Sequence, residues 1–411
     1  MQKIIIDQPY VPVPVHRGKF WPEVFGFVLP WFLRRSYGVT RFKYEHAERL
    51  EASLRAGHGI LLAPNHCRDE DSFVMGMLSN VVRQRFYFMG SWHVFKQNPA
   101  TAFLLNRAGV YSVNREGPDR ASVKTSVEIL EAAERPLVIF PEGYLARTND
   151  RLNALMEGTA LIARTAAKRR AQRSPAGLVV VHPIALRYHF EGDFEATVGA
   201  MLEDIEKRLT WRPNSSLPAL DRVIKVASAL LTLKEIEHLG GARPGPLPER
   251  IPHLINAILT PLENEWAESA HDGVVQARVR RLRIAILPGL VSGNLADSER
   301  QRRWRQLADI YLAQQIDNYP PDYLAGQPSK ERILETIERL EEDLTDKIRP
   351  HGPFTATLTI GEAITVNPRR EHHGTQDPLL QEIERQLRSM LGLSPAAQLP
   401  AATPAAISAT A

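Results

Sequence analysis

The sequence is almost without cysteine, since Cys67 is the only one in 411 residues. A single cysteine cannot form a disulfide within the chain, which excludes the disulfide-stabilised class of small secreted domains and is typical of a reducing compartment. The first fifteen residues, MQKIIIDQPYVPVPV, also lack the apolar core and cleavage site of a signal peptide, because prolines follow a short apolar run. We therefore expect a cytoplasmic protein.

An apolar run long enough to span a bilayer is also missing. The most apolar stretch, VFGFVLPWFL (residues 24–33), has about half of the ~20 residues that a transmembrane helix needs, and it contains Pro30. Arg34 and Arg35 follow its aromatic residues at once, a pattern typical of a segment in the lipid headgroup region, although a core helix fits it equally well. We expect residues 1–39 to form an interfacial segment that associates peripherally with a membrane surface.

A large excess of one charge is absent too, since the formal net charge is +4. Hydrophobic residues make up 44% of the chain and charged residues 24%, which excludes disorder throughout. Basic residues nevertheless cluster, for example in RVRRLR (278–283) and RQRRWR (300–305). Such clusters favour anionic surfaces or ligands, although most are solvated helix faces. We expect a lipid or phosphate partner and no nucleic acid.

Between residues 40 and 194, apolar β-branched runs alternate with helical patterns. The runs predict buried strands at 59–64, 85–90, 109–113, 137–140 and 178–186. The clearest helical patterns lie at 119–135 and 155–170. Strands separated by helices form a mostly parallel sheet flanked by helices on both faces, so the predicted fold class is α/β.

Two polar segments directly follow predicted strands: His66 comes after GILLAP, and PEG (141–143) comes after LVIF. Ligands of such sheets bind at the carboxyl ends of the strands, which predicts a shared cleft. Asp71 follows His66 by five positions, but the same spacing to an acid occurs after His46 and His372, so spacing alone carries little.

Context favours the pair of His66 and Asp71, because only His66 follows an apolar strand and precedes a segment that can begin a helix. Residues five apart on one helix point roughly 140° apart, so these side chains meet only if His66 lies in the loop and Asp71 in the first helical turn. Asp71 would then fix the imidazole tautomer and stabilise the imidazolium that forms when His66 takes a proton from a hydroxyl. Asp69 and Glu70 stay open as alternatives, since a different turn would let either reach His66. We favour Asp71.

Four segments resemble the glycerolipid acyltransferases, the family that includes glycerol-3-phosphate and 1-acylglycerol-3-phosphate acyltransferases. In chain order these are NHCRDED (65–71), similar to the N-H-x-x-x-x-D motif, then GVYSVNRE (109–116), FPEG (140–143) and VVHPIAL (180–186). TLTIGEAITV (357–366) resembles the last core strand of that fold. The resemblance implies an acyltransferase core over residues 40–194, completed by residues 353–392. Residues 195–352 would be a helical insertion before the last strand.

The resemblance implies transfer of a fatty acyl group from acyl-CoA or acyl carrier protein to the hydroxyl of a glycerol phosphate or lysophospholipid. His66 would be the general base and Asp71 its orienting acid, with no metal or cofactor. Transfer would be direct, so Cys67, beside the base, is expected to be a packing residue. The acceptor's polar head would be bound by Arg115, Glu142 and Gly143, together with Arg147.

One departure leaves the acceptor open. Many members that use a phosphate-bearing acceptor continue FPEG with Thr-Arg-Ser-Arg, whereas this chain has Tyr-Leu-Ala-Arg at residues 144–147. Leu145 therefore stands where a cation is expected. Arg147 and Arg151 are nearby, but a hydroxyl acceptor without phosphate remains an alternative.

The remaining segments indicate organisation rather than chemistry. Amphipathic patterns predict helices at 216–239 and 329–348 within the insertion, where we see no repeat of fixed period, and a closing helix at 378–391. Residues 393–411 are rich in alanine and proline and predict a disordered tail. The adjacent His372 and His373 lie in a polar stretch without further ligands, and we expect them to be solvated rather than metal-bound.

Two other functions remain open from the sequence. A hydrolase or thioesterase could use the same His and Asp, although the chain has no G-x-S-x-G motif. A non-catalytic protein that binds a membrane or acyl-CoA is the second alternative.

Overall fold

A mostly parallel, eight-stranded sheet forms the centre of the computed structural model, which describes residues 6–117, 119–173, 177–266, 273–369 and 376–394. The strands are β1 (Val39–Glu45), β2 (Gly59–Pro64), β3 (Tyr87–Ser91), β4 (Val110–Val113), β5 (Leu137–Val138), β6 (Val179–Phe190), β7 (Phe354–Ile360) and β8 (Ile364–Thr365). Their order across the sheet is β1-β7-β6-β2-β5-β3-β4, and β8 pairs with β6 outside this path. Only the pairings of β6 with β7 and with β8 are antiparallel.

Helices connect the strands and flank the sheet. They are α1 (Phe20–Tyr37), α2 (Ala47–Arg55), α3 (Asp71–Val81), α4 (Trp92–Phe95), α5 (Pro99–Arg107), α6 (Arg120–Ala132), α7 (Glu157–Ala171), α8 (Phe194–Arg208), α9 (Ala219–Leu239), α10 (Leu247–Trp266), α11 (Val275–Ser292), α12 (Asp297–Asp317), α13 (Lys330–Thr345) and α14 (Pro378–Leu391). The predicted α/β class is confirmed.

Alternate residues of the central strand face two separate cores, as the period of two in a strand requires. Ile60 and Leu62 of β2 pack into the core shared with helices α1, α3, α8, α9 and α13. Leu61 and Ala63 pack on the opposite face, against α6, α7 and α14. Because both faces of β2 are covered, all six of its residues are buried, which explains its continuous apolar sequence.

Several strand predictions need correction. The stretch 357–366 is two strands, β7 and β8, because the chain leaves the sheet at Gly361, where a side chain would collide with Gln386 and with the Pro183 carbonyl. The strand predicted at 137–140 is hydrogen-bonded as a strand only at Leu137 and Val138. Strand β1 and helix α2 were not predicted, because β1 is exposed along much of its length and carries polar residues there.

The region after β6 is divided between two cores. Helices α8, α9 and α13 pack on the sheet, whereas α10, α11 and α12 surround a third core that includes Leu259, Leu282 and Leu307.

Each of three successive helix pairs is joined by a buried ion pair of a glutamate and an arginine. These are Glu206 with Arg222, Glu235 with Arg250, and Glu263 with Arg278.

These ion pairs reveal a repeat that the sequence analysis missed. Arg222, Arg250 and Arg278 stand 28 positions apart at the beginning of α9, α10 and α11. An alanine follows each arginine by seven positions and a leucine by nine, at Ala229 and Leu231 in the first unit. Three shared positions in 28 are not conspicuous in the sequence. The period becomes evident because the three arginines form equivalent ion pairs with the preceding helix.

The tail predicted at 393–411 lies outside the described residues from position 395 onward, and its predicted disorder stays a prediction.

Candidate active site

The loop after β2 is fixed to the neighbouring strand by Asn65. Its side-chain amide donates to the Leu186 carbonyl at 3.1 Å, and its side-chain oxygen accepts from the Leu186 amide at 2.7 Å. Leu186 belongs to β6, so the two bonds extend the sheet by one side chain. This clamp places His66 at the carboxyl edge of the sheet, where the sequence predicted it.

His66 and Asp71 are in direct contact. Asp71 is the first residue of α3, and its Oδ2 lies 2.8 Å from His66 Nδ1. The same oxygen accepts the backbone N–H groups of Cys67 at 2.7 Å and Arg68 at 2.9 Å. The Tyr188 hydroxyl donates to Oδ1 at 2.7 Å. Four donors therefore hold a carboxylate that is 0% exposed, so its orientation toward the imidazole is fixed.

The two alternative acids have other partners. Glu70 accepts from Arg68 Nε at 2.8 Å, and Asp69 lies 3.8 Å from the Arg147 guanidinium. Neither carboxylate makes a hydrogen bond to His66 in the part of the chain that the structure describes. Of the three acids, Asp71 is the one whose geometry suits it to orient the imidazole.

The second imidazole nitrogen points away from these contacts. His66 Nε2 makes no hydrogen bond with any described residue, and the side chain is 22% exposed. The ring stacks on Phe140, with 4.1 Å between centroids and 25° between planes. A ring held by Asp71 on one side and by Phe140 on its face presents Nε2 as a proton acceptor to a molecule that enters from solvent.

Glu142 lies beneath the His66 loop and is 1% exposed. Its Oε1 accepts the His66 backbone N–H at 2.8 Å, and its Oε2 accepts both the backbone and side-chain N–H groups of Asn153 at 2.9 Å. Burial raises the pKa of this carboxyl to about 7. Both oxygens accept from protein donors, so Glu142 holds the His66 loop in place. Its predicted contact with the acceptor stays a prediction.

Gly143 forms the turn after Glu142. Its φ is +74°, and a side chain there would collide with Met156. Glycine is needed for both reasons. Its predicted contact with the acceptor stays a prediction.

Arg147 is held by acidic side chains. Its guanidinium forms a two-pronged ion pair with Glu342 of α13 and approaches Asp69. These charges raise its pKa further above the ordinary arginine value, against the effect of burial. The contacts join the 147 loop to α13 and do not leave this guanidinium open toward an acceptor phosphate, the role that the sequence suggested.

Arg115 follows β4 and has no such partner. Its guanidinium makes neither a hydrogen bond nor an ion pair with the described residues, although Glu116 is close enough to act on it electrostatically. Burial lowers its pKa, and the positive charges of Arg283 and Arg280 lower it further. In sheet order β4 lies three strands from β2, so Arg115 begins roughly 14 Å from the His66 loop at about 4.8 Å per strand.

Cys67 is 2% exposed, and its Sγ contacts the Leu186 carbonyl and Asp71 Oδ1. Burial, with the negative charge of Asp71, raises the pKa of this thiol well above its ordinary value. A buried thiol of this kind is a poor nucleophile.

The sequence analysis assigned no role to four residues that hold this site. They are Asn65, Arg68, Asn153 and Tyr188. Tyr188 could have been found, since Ile184, Leu186 and Tyr188 alternate along one face of β6, where the polar groups belong to Tyr188 and His182.

Among the described residues, no group of three or more histidines, cysteines or acids is arranged to hold a metal ion. His372 and His373 lie outside the described residues. No described helix combines the length and apolar character needed to cross a membrane.

Comparison with known proteins identifies the domain that contains this site. Residues 41–187 match the family model described as Acyltransferase. No curated protein matches the chain. The matched range includes His66, Asp71, Arg115 and Glu142, and it ends within β6, before the inserted helices begin.

Proposed function

We propose that this acyltransferase, whose domain at residues 41–187 matches the Acyltransferase family model, acylates a phosphate-bearing alcohol. The donor is a fatty acyl thioester, acyl-CoA or acyl carrier protein. The acceptor is a glycerol phosphate or a lysophospholipid, taken from the cytoplasmic face of a membrane.

His66 is the general base of this reaction. Its Nε2 removes the proton of the acceptor hydroxyl as the oxygen attacks the thioester carbonyl. The tetrahedral intermediate collapses, the carbon–sulfur bond breaks, and the imidazolium returns the proton to the leaving thiolate. The products are an ester and a free thiol, and no covalent enzyme intermediate forms. Asp71 stabilises the imidazolium between the two proton transfers.

One observation carries this assignment: the 2.8 Å contact of His66 Nδ1 with a buried Asp71 carboxylate, together with an Nε2 that no described residue occupies. One oxygen of Asp71 accepts two backbone N–H groups of the loop, so the loop backbone fixes the carboxylate beside His66. Cys67 does not compete as a nucleophile, because it is buried and its thiol pKa is raised.

Arg115 supplies the first positive charge for the acceptor phosphate. It lies at the same carboxyl edge of the sheet as His66, and its guanidinium has no protein partner among the described residues. An arginine binds phosphate through two parallel hydrogen bonds. The engagement of Arg147 by Glu342 favours a second candidate, an acceptor hydroxyl without a phosphate.

An exposed apolar surface on α1 and α5 binds the membrane. Phe20, Phe27 and Trp31 lie on one face of α1 and are 70%, 84% and 66% exposed. Phe103 and Leu104 of α5 are exposed beside them, and Phe103 touches Trp21 of α1 at 5.6 Å between ring centroids. Arg34 and Arg35 at the end of α1 are also exposed and suit anionic headgroups.

The experiment is an acyl-transfer assay with labelled acyl-CoA and a panel of glycerol phosphate, lysophospholipids and neutral alcohols. Wild-type protein should acylate a phosphate-bearing acceptor, and His66→Ala should lower kcat about 10²- to 10⁴-fold. His253→Ala, at an exposed histidine of α10, is the matched control and should keep wild-type turnover.

The same assay separates the alternatives. Preference for neutral alcohols would replace the phosphate acceptor, and release of free fatty acid without any acceptor would indicate a hydrolase. Acyl-CoA binding without turnover, unchanged in His66→Ala, would indicate a non-catalytic protein.

A further inference from the structure

Arg283 of α11 is a buried cation without a carboxylate partner among the described residues. The residue is 8% exposed. Its Nη2 donates to Gln314 Oε1 at 2.6 Å, but its Nε, also buried, has no hydrogen-bond partner. A buried guanidinium with an unsatisfied N–H is costly for the fold, because the charge and the polar group have both lost water. Such an arrangement suits a site that is completed by an anionic ligand.

The 28-residue repeat shows that packing does not require an arginine at this position. The equivalent residues of the two sister helices are Ala227 in α9 and Ile255 in α10, and Ile255 is 4% exposed in the core of the inserted helices. The third unit therefore places a charge where the other units have apolar side chains. By contrast, Arg278, the repeated arginine of the same helix, donates through Nε and Nη2 to the two carboxylate oxygens of Glu263.

Arg283 and the loop after β4 face each other across the boundary between insertion and core. Arg280 Nε donates to the Arg115 carbonyl at 3.3 Å, which brings α11 against that loop. A cavity of roughly 230 Å³ lies next to the loop after β4 and is lined by His93, Asn114 and Glu116 of the core and by Leu287 and Pro288 of α11. Arg115 and Arg283 adjoin these residues in the sequence or on α11 but do not themselves line the cavity. Leu287 lies one helical turn after Arg283, on the same face.

The balance of charge between α11 and the loop after β4 is positive. The positive charges of Arg115 and Arg283 repel each other. Burial, together with these two charges, lowers the pKa of His93 to about 4. Glu116 is the one carboxylate acting on both arginines among the described residues, and it raises the pKa of each. The positive charges of Arg115 and Arg283, with Arg280 nearby, therefore outnumber the single negative charge of Glu116.

Arg283 and Arg147 both act electrostatically on the Tyr311 hydroxyl of α12. Arg147 in turn approaches Asp69 of the loop that carries His66.

We infer that Arg283 joins Arg115 to form a binding site for a phosphate monoester, and that the inserted helix α11 supplies the cation missing at Leu145 after FPEG. This inference rests on the proposed acyl transfer. A phosphate monoester can come from the acceptor or from the 3′-phosphate of the CoA donor. Both sources have the same dianionic chemistry, and two arginines match its charge.

The experiment compares Arg283→Leu and Arg283→Lys with wild type on substrates that differ only by a phosphate. Lysophosphatidate is paired with monoacylglycerol, and acyl-CoA with acyl-3′-dephospho-CoA. Leucine is chosen because the sister helices tolerate apolar residues here, and circular dichroism verifies the fold. Arg212→Gln, which removes an exposed arginine between α8 and α9, is the charge-matched control and should leave every KM unchanged.

We expect Arg283→Leu to raise KM roughly 10- to 100-fold for the phosphate-bearing member of one pair, with its phosphate-free partner within about threefold. Loss confined to lysophosphatidate identifies the acceptor phosphate, and loss confined to acyl-CoA identifies the donor phosphate. Equal effects on both members of each pair, or no effect, would overturn the inference.

A readout without turnover keeps this inference separable from the proposed function. Calorimetry with sn-glycerol 3-phosphate, and separately with CoA and 3′-dephospho-CoA, measures binding alone. Phosphate-dependent binding that weakens at least tenfold in Arg283→Leu supports the site even if no acyl transfer is found. Binding that is absent in wild type, or the same in both proteins, contradicts it.

Discussion

Asp71 is the residue on which the geometry of the site depends. Burying a carboxylate is unfavourable unless hydrogen bonds replace the lost water. Here the backbone of residues 67 and 68, His66 and Tyr188 provide those bonds. Since two of the donors belong to the backbone of the loop, the carboxylate holds the loop as well as the imidazole. Asp71 therefore cannot turn away from His66 without losing the two backbone hydrogen bonds of the loop.

Glu142 gives a prediction at the residue scale. The folded protein holds a proton on this carboxyl up to pH about 7, whereas an unfolded glutamate releases it near pH 4.3. The folded state therefore binds more protons between these values, and the free energy of unfolding falls as pH rises through this window. Relative to Glu142→Gln, which does not titrate, wild type should lose up to about 3 kcal/mol between pH 4.5 and 7.5.

Urea unfolding at several pH values measures this difference. Glu48→Gln, at a carboxylate whose side chain is 69% exposed, is the control and should follow the wild-type pH profile. A constant difference between wild type and Glu142→Gln across the range would show that the buried carboxyl does not keep its proton.

At the scale of elements, helix α13 joins the insertion to the loop that carries His66. Arg68, in the turn between His66 and Asp71, donates to Glu338 of α13 at 3.1 Å. Arg147, in the loop after β5, is bound by Glu342 one turn further along the same helix. Two arginines of the core therefore meet two acids on one face of α13, and the helix contributes to holding both loops of the site.

This contact predicts a structural role for Arg147. Both partners of its ion pair with Glu342 are largely buried, so Arg147→Met should lower the free energy of unfolding by about 3–5 kcal/mol. The double variant with Glu342→Leu should recover part of that loss, because it removes the buried acid that has lost its arginine. KM for a phosphate-bearing acceptor should change less than about threefold.

Denaturant unfolding and acceptor kinetics on the same proteins decide the role. Arg151→Met is the control, because its side chain is 45% exposed and its ion pair with Asp322 at 3.8 Å should contribute less than about 1 kcal/mol. A stable Arg147→Met protein with a tenfold higher acceptor KM would return Arg147 to the phosphate-binding role first predicted for it.

The sequence predicted the central elements better than the peripheral ones. Strands β2 and β6 are buried on both faces and show as continuous apolar runs, whereas β1 at the sheet edge carries polar residues and was missed. The contact of His66 with Asp71 was favoured from the sequence context and the expected turn, with Asp69 and Glu70 left open, and the structure shows it at 2.8 Å. The partners of Glu142 and Arg147 could not be predicted, because Glu342 is 195 positions from Arg147 and the packing of α13 sets that pairing.

At the scale of the whole molecule, the insertion is part of the fold and not an appendage. Helices α8, α9 and α13 complete one core of the sheet, while α10, α11 and α12 build a core of their own. Buried pairs of glutamate and arginine tie successive helices together from α8 to α11. The repeat thus extends the acyltransferase domain toward the edge where the substrates are expected.

The apolar surface on α1 predicts membrane binding. Phe27 and Trp31 face solvent, so replacing both with serine should leave stability within about 1 kcal/mol. Their transfer into lipid contributes about 1.5–3 kcal/mol each, so the partition coefficient onto anionic vesicles should fall at least tenfold. Sedimentation with vesicles of phosphatidylcholine and phosphatidylserine measures it.

The matched control replaces two exposed apolar residues of α9, Leu233 and Ile236, which are 58% and 50% exposed. That double serine variant should partition as wild type does. Equal loss in both variants, or unchanged binding in Phe27→Ser with Trp31→Ser, would place the membrane contact elsewhere.

The turnover number of Asp71→Asn tests the central claim most directly. The two backbone donors at Oδ2 should keep the asparagine oxygen in place, with the amide toward Tyr188, so the fold is retained and the negative charge is lost. We predict that kcat falls at least about 100-fold with KM within about threefold, while Asp69→Asn and Glu70→Gln keep kcat within about fivefold. Equal losses in the three variants, or wild-type turnover in Asp71→Asn, would contradict it.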